Sequence, residues 1–255
     1  MNGNKKSTAA LFVLTLICFS IPSYAGPKED AVESNNRGFV LYTQGNLDAA
    51  ISEFDKAIEL DPGYALAYYN RGLAKREKGN LDGEIADYAK STELDPNYAA
   101  AFYNLGLADE EKGDLPAAIA NLTKAIELEP GNAKAYYSRA LAKGENGDLE
   151  GTISDNTKAI GIDPNFSDAY YSRGLARAQG GDLDGALQDY SMVISRNSKS
   201  AEAFYNRGAV YLKKKDYDHA LSDLDQSASL DPNLRAKVQP IIDQIKQLKA
   251  EAVKK

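Results

Sequence analysis

The sequence predicts an all-α fold of stacked helix pairs, and three observations predict it. One phrase recurs in steps of 34 residues: Tyr68-Tyr69-Asn70-Arg71-Gly72-Leu73, Phe102-Tyr103-Asn104-Leu105-Gly106-Leu107 and Tyr170-Tyr171-Ser172-Arg173-Gly174-Leu175. Glycine and proline punctuate the copies at fixed phase. Between them the apolar and small residues follow the period of a helix, not of a strand.

The first 25 residues differ from the rest. Lys5 and Lys6 precede an uncharged apolar run from Leu11 to Ile21, and Pro22 then leads to Ser23-Tyr24-Ala25. This is the order of a secretory signal peptide cut after Ala25. A membrane anchor is the alternative, but spanning a bilayer takes about 20 apolar residues and this core has about half that. Cys18 follows Ile17 rather than a small residue, which argues against lipidation. The expected mature chain has 230 residues, 28 basic and 37 acidic side chains, a net charge of −9, and no cysteine. Its stability then rests on packing, with no disulfide.

Residues 26–30 form a lead-in, followed by six units at 31–64, 65–98, 99–132, 133–166, 167–200 and 201–234. Each reads as two helices. In 65–98, Tyr68, Arg71, Gly72 and Lys75 share one face of the first. Gly79 ends it, as glycine tolerates the left-handed conformation at a helix C-terminus. Asn80 caps the second, whose inner face carries Ile85, Tyr88 and Ser91. Asp95-Pro96 stops it, because proline disfavours helical geometry in the residue before it. The same marks recur at Gly45, Gly113, Gly147 and Gly181, and at Pro62, Pro130, Pro164 and Pro232. Residues 235–255 carry Val238, Ile241, Ile242, Ile245 and Leu248 at helical spacing and are expected to cap the last unit, with Pro240 starting or kinking that helix.

Some units depart from the pattern. Thr152 and Asn156 stand in 133–166 where apolar residues are expected, Glu84 stands in 65–98, and Asn197-Ser198 replaces the acid and proline of 167–200. The expectation is that 133–166 is the soft joint of the array, burying least apolar area. A charge pair also follows the repeat. Position 7 is Arg37, Arg71, Leu105, Arg139, Arg173 and Arg207, and position 23 is Glu53, Asp87, Asn121, Asp155, Asp189 and Asp223. The unit lacking the arginine also lacks the acid. The pair is expected to tie the two helices of a unit, against the alternative of independent surface charges.

With these residues in view, the chain resembles a tetratricopeptide repeat protein. Unit 31–64 carries Gly38, Ala50, Phe54, Ala57 and Pro62 at the family's positions, and unit 99–132 carries Phe102, Gly106, Ala118, Leu122, Ala125 and Pro130. The resemblance covers 31–234. It implies a right-handed α-α superhelix with a C-terminal capping helix, and a concave face lined by first-helix positions 2, 5, 6, 9, 12 and 13. Here position 5 carries Asn35, Tyr69, Tyr103, Tyr137, Tyr171 and Tyr205. Position 6 carries Asn36, Asn70, Asn104, Ser138, Ser172 and Asn206, and position 9 carries Phe39, Leu73, Leu107, Leu141, Leu175 and Ala209.

An extended peptide suits such a surface. Asn amides satisfy a backbone donor and acceptor together, and tyrosines supply broad contact at low entropic cost. The expected peptide-binding residues are Asn36, Asn70, Asn104 and Asn206, with Tyr69, Tyr103, Tyr137, Tyr171 and Tyr205 beside Leu73 and Leu107; the alternative for the tyrosines is packing between repeats. The family's basic clamp for a C-terminal carboxylate is not matched, since position 5 holds Asn or Tyr and position 6 holds no basic residue. Asp109, Glu110, Glu111 and Glu145 make the middle acidic and favour a basic or neutral ligand.

No catalytic site, cofactor site or metal site is expected. His219 is the sole histidine, so no second nitrogen ligand exists. The glycines are turn residues rather than a phosphate loop. Asn121-Leu122-Thr123 and Asn165-Phe166-Ser167 match the glycosylation pattern, which matters only in a eukaryotic secretory route. Net acidity disfavours nucleic acid, and the mature chain has no expected membrane span. The reading is an exported, periplasmic or secreted, non-catalytic scaffold for a protein or peptide. Its rivals are a self-assembling structural protein of the envelope and an enzyme using the acidic cluster.

Overall fold

A computed structural model describes residues 26–253. The expected signal peptide, 1–25, and Cys18 lie outside the described residues. Thirteen α-helices and no strand occur among them: α1 Pro27–Thr43, α2 Leu47–Leu60, α3 Ala65–Glu77, α4 Leu81–Leu94, α5 Ala99–Lys112, α6 Leu115–Leu128, α7 Ala133–Glu145, α8 Leu149–Ile162, α9 Ser167–Gly180, α10 Leu183–Arg196, α11 Ala201–Lys213, α12 Tyr217–Leu230 and α13 Pro232–Val253. Each first helix packs on its own second helix, and each second helix packs on the next first helix. The product is a right-handed α-α solenoid. The lead-in is not separate: α1 begins at Pro27, whose ring suits a first helical turn.

The punctuation works as chemistry demands. Gly45, Gly79, Gly113, Gly147 and Gly181 have φ between +71° and +89° between the helices of a pair. The sixth unit has no glycine there, and Lys215 takes the same conformation at φ +58°. Asn80, Asp114, Asp148, Asp182 and Asp216 each accept a backbone N–H three residues on, capping α4, α6, α8, α10 and α12. Between units, Asp61, Asp95 and Asp163 accept an N–H two residues on, closing an Asx turn. Asn197 does the same with Lys199 N at 3.0 Å. An amide oxygen thus replaces the carboxylate, which explains how that unit dispenses with the acid.

The core is set by pairs at positions 8 and 24. A Cβ on Gly72 would lie 2.6 Å from the Tyr88 ring, and one on Gly38 would lie 2.6 Å from Phe54. Glycine on the first helix therefore makes room for the large side chain on the second. The fourth unit reverses the bargain, with Ala140 facing the shorter Asn156, both fully buried. Asn156 Nδ2 donates to Thr152 O at 3.0 Å and to Ser172 Oγ at 2.9 Å, while its Oδ1 is buried with no partner. The Thr152 hydroxyl, also buried, lies 2.8 Å from Asp148 O and 3.1 Å from Ala140 O. Apolar clusters form around Phe54, around Tyr88 with Leu105, around Tyr190 with Val210, and around Leu224 with α13. Polar contacts take that place in the fourth unit.

The position 7 and 23 residues do join the helices of a unit. Arg71, Arg139, Arg173 and Arg207 each hold Asp87, Asp155, Asp189 and Asp223 through two guanidinium nitrogens at 2.6–3.0 Å. Arg37 holds Glu53 at 2.9 Å. The acids are nearly buried, and Lys75, Lys143 and Arg177 add a second cation to three of them. Each arginine from the second unit on also reaches the preceding unit: Arg71 to Asp55, Arg139 to Thr123, Arg173 to Thr157 and Arg207 to Ser191. The network therefore fixes stacking as well as pairing.

In the third unit the charge has moved. Leu105 is buried, and Asn121 Nδ2 donates at 2.7 Å to Asp109, a buried acid at the position where neighbouring units carry a cation. At the C-terminal end, Val238, Ile242 and Ile245 are buried against α12, whereas Leu248 is 39% exposed. The capping helix starts three residues before 235, at Pro232, and runs through Pro240.

Candidate functional site

The first helices form the inner face of the array. Successive first helices touch one another directly: α1 meets α3, α5 meets α7, α7 meets α9 and α9 meets α11. Position 9 of these helices gives an accessible apolar row. Phe39 is 46% exposed and Leu175 37% exposed, with Leu73, Leu107 and Leu141 half-buried between them. Val32 and Leu66, at position 2, add to its edge and are also exposed.

The tyrosines of position 5 are half-buried and pack within the array. Tyr69 lies 5.8 Å from Tyr88 and 4.9 Å from Tyr98, ring centroid to centroid. Tyr137 lies 4.9 Å from Phe166 and Tyr171 lies 5.9 Å from Tyr190. Lys237 sits over the Tyr205 ring at 4.6 Å, so α13 uses the same surface. Tyr103 is half-buried as well. Burial pushes the Tyr69, Tyr137 and Tyr171 phenols above their ordinary value, which keeps them neutral hydrogen-bonding groups.

The asparagines of position 6 bridge to position 5 of the preceding unit. Asn70 Nδ2 donates to Asn35 Oδ1 at 2.9 Å, Asn104 Nδ2 to Tyr69 Oη at 3.1 Å, and Asn206 Nδ2 to Tyr171 Oη at 2.7 Å. Asn70 is only 6% exposed. One of its amide N–H groups is thus engaged within the array. Asn104 is half-buried, donates to Ala100 O as well, and accepts from Arg76 at 3.2 Å. Asn36 lies in the first described unit and is exposed. Sequence reasoning treated each position as a ladder of its own. The missed signal is an offset of 35 rather than 34, joining position 5 of one unit to position 6 of the next.

The acidic middle is uneven. Asp109 is buried, and burial holds its carboxyl above the usual carboxylate range. Glu110 is raised by burial and then by the charge of Glu145. Glu84 is 2% exposed, its Oε2 has no partner, and burial raises it too, partly offset by Arg76. Among the described residues, Glu110, Glu111 and Glu145 make no ion pair.

A cavity of about 240 Å³ opens beside this cluster between the fourth and fifth units. A larger one, about 700 Å³, lies at the connections around Glu129–Ala133 and Ile162–Asp163, and a third, about 420 Å³, lies on the outer end of α1. His219 is engaged locally: its Nδ1 lies 2.8 Å from Asp216 Oδ2 and its ring stacks on Tyr211 at 4.9 Å. Among the described residues no three His, Cys, Asp or Glu side chains gather as a metal site, and no helix is long and apolar enough to cross a membrane.

Comparison with known proteins matches this geometry. The family pattern described as "TPR repeat" matches residues 38–79, 72–113, 109–147 and 174–215, and "Tetratricopeptide repeat" matches 201–234. Among solved structures, YrrB, described as a TPR protein with an unusual peptide-binding site, is 26% identical. It superposes with a TM-score of 0.67 over 73% of this chain and 97% of its own. The MamA protein is 29% identical with a TM-score of 0.63, covering 68% of this chain and 94% of its own. Pseudomonas aeruginosa PilF is 18% identical with a TM-score of 0.69 over 85% of this chain and 99% of its own, a likeness of fold alone. No curated protein matches the chain.

Proposed function

The chain belongs to the tetratricopeptide repeat family, and from that premise we propose that it is a non-catalytic scaffold. It holds a protein segment or extended peptide on the inner face of its solenoid. The observation that carries the reading is the accessible apolar row of the first helices, from Phe39 through Leu73, Leu107 and Leu141 to Leu175. Folded chains keep such a row in water at a cost unless something covers it. Half-exposed Asn206 and the tyrosine edges supply polar partners along it. The peptide-binding description of YrrB supports the same use. The signal-like order of residues 1–25 supports export, with the cell envelope as the place of work.

Capture tests this reading. Residues 26–255 are used as bait in an extract of the native compartment, beside the double variant Phe39→Ser, Leu175→Ser. Both side chains are exposed, so helicity is expected to be unchanged. Partners retained by the wild type are expected to be lost from the variant; equal retention by both contradicts binding on this row.

Self-association through the ends is the second reading. Val40 favours it, since it is 53% exposed beside the end cavity lined by Glu33, Arg37 and Leu41. Two features oppose it. Glu33, paired with Arg37 at 2.7 Å, occupies position 3, where the following units bury Ala67, Ala101, Ala135, Ala169 and Ala203. At the other end α13 covers the last repeat. Mass independent of protein concentration is the expected result.

A further inference from the structure

We infer that the inner face contains a pocket for one lysine or arginine side chain of the bound segment, set between the fourth and fifth units. This rests on the inner-face reading above and adds the chemistry of the partner. The cavity is about 240 Å³, below the roughly 300–1,000 Å³ of small-molecule sites and suited to a single long side chain.

The sequence opens this space by two local changes. Position 12 is Gly144, where the second, third and sixth units carry Arg76, Glu110 and Leu212. A Cβ built on Gly144 would lie 3.2 Å from Thr152 Oγ1, so the floor of the cavity is directly beneath it. Position 6 of the fifth unit is Ser172, a shorter side chain at this wall of the cavity than Asn104 and Asn206 of the third and sixth units.

The lining has two characters. Leu141, Leu149 and Leu175 form apolar walls. Thr152 and Ser172 line the floor, where Ser172 Oγ accepts from the buried Asn156 amide and Thr152 Oγ1 lies against Asp148 O and Ala140 O. Glu145 stands at the rim, exposed and without an ion pair among the described residues. Glu110 lies within the reach of its charge: burial, and then Glu145, raise the Glu110 carboxyl. A long side chain with an apolar stem and a cationic tip satisfies the walls and the rim. Its stem covers the leucines, and its charge lies against Glu145 and Glu110. A purely apolar side chain leaves the carboxylates uncompensated, and an acidic one adds a third like charge.

The test is a phage-displayed library of random dodecapeptides panned on residues 26–255. Retained peptides are expected to share one Lys or Arg flanked by apolar residues. For one such peptide, made synthetically and labelled with a fluorophore, Glu145→Gln is expected to weaken binding about tenfold, as loss of a charge-assisted hydrogen bond does. Glu145→Lys is expected to reject it and to select acidic peptides instead. Circular dichroism of the variants, both on an exposed side chain, checks that the fold is kept. Retained peptides with no basic position, or equal affinity for wild type and Glu145→Lys, overturn the pocket while leaving inner-face binding standing. A library from which nothing is retained contradicts the inner-face reading and the pocket together.

Discussion

At the residue scale, Asp109 and Asp155 show what environment does to the same carboxylate. Asp155 is nearly buried between Arg139 and Lys143, at 2.7 and 2.9 Å. Asp109 is buried with one amide donor, Asn121, and, among the described residues, no ion pair, Lys112 offsetting burial only in part. Asp155→Asn leaves two half-buried cations without their acid and is expected to cost about 3 kcal/mol. Asp109→Asn removes a charge compensated only in part but keeps an acceptor for Asn121, so it is expected to be neutral or stabilising at pH 7. The sign with pH follows from burial. The folded carboxyl of Asp109 is raised above its unfolded value, so its contribution is fully present below the unfolded pKa and is lost as pH rises through the folded pKa. The gain from Asp109→Asn therefore grows from pH 4 to pH 7. Urea titrations of the two variants and wild type across that range check it; a loss of stability for Asp109→Asn that is equal to that of Asp155→Asn contradicts it. The missing pair at Leu105 and Asn121 is visible in the sequence. The displaced acid is not, because Asp109 is legible as a partner of Asn121 only once helix geometry places position 11 beside position 23.

At the element scale, the start and stop of each helix pair follow local chemistry and are readable residue by residue. Gly45 through Gly181 mark left-handed turns, and the following Asn or Asp caps the next helix in five units of six. Lys215 breaks that rule, holding φ +58° with a Cβ present. The left-handed conformation costs a residue with a side chain about 1 kcal/mol, so Lys215→Gly is expected to raise the stability of α11 and α12 by roughly that amount. A thermal midpoint unchanged or lowered in Lys215→Gly contradicts the assignment. The end helix was less legible. Pro232 matches the repeat's terminal proline, yet it opens α13, its fixed φ suiting a first helical turn. Leu248 keeps the helical spacing of its neighbours but lies beyond the surface they cover.

At the scale of the whole molecule, the 34-residue period carries the fold, since each unit can bury its faces only against its neighbours. The inner face was harder to read. Period alone places Asn70 on it, but burial against Asn35 depends on the unit before. The pocket at Gly144 likewise depends on two units at once. The same dependence sets local stability. Second helix α6 buries Ala118, Leu122, Ala125 and Ile126, whereas α8 buries Thr152, Asp155, Asn156 and Ala159. Less apolar area is removed from water in α8, and a buried Asn156 oxygen is unpaired. Backbone amides of α8 are expected to exchange with deuterium faster than those of α6; equal or slower exchange contradicts the soft joint. The central claim is that the partner lies on the inner face. Its most direct test replaces Leu107 on α5, or Lys158 on the exposed side of α8, with a photo-crosslinking amino acid, and irradiates the protein in its native compartment. The account predicts a covalent adduct from position 107 and none from position 158; an adduct from 158 alone contradicts it.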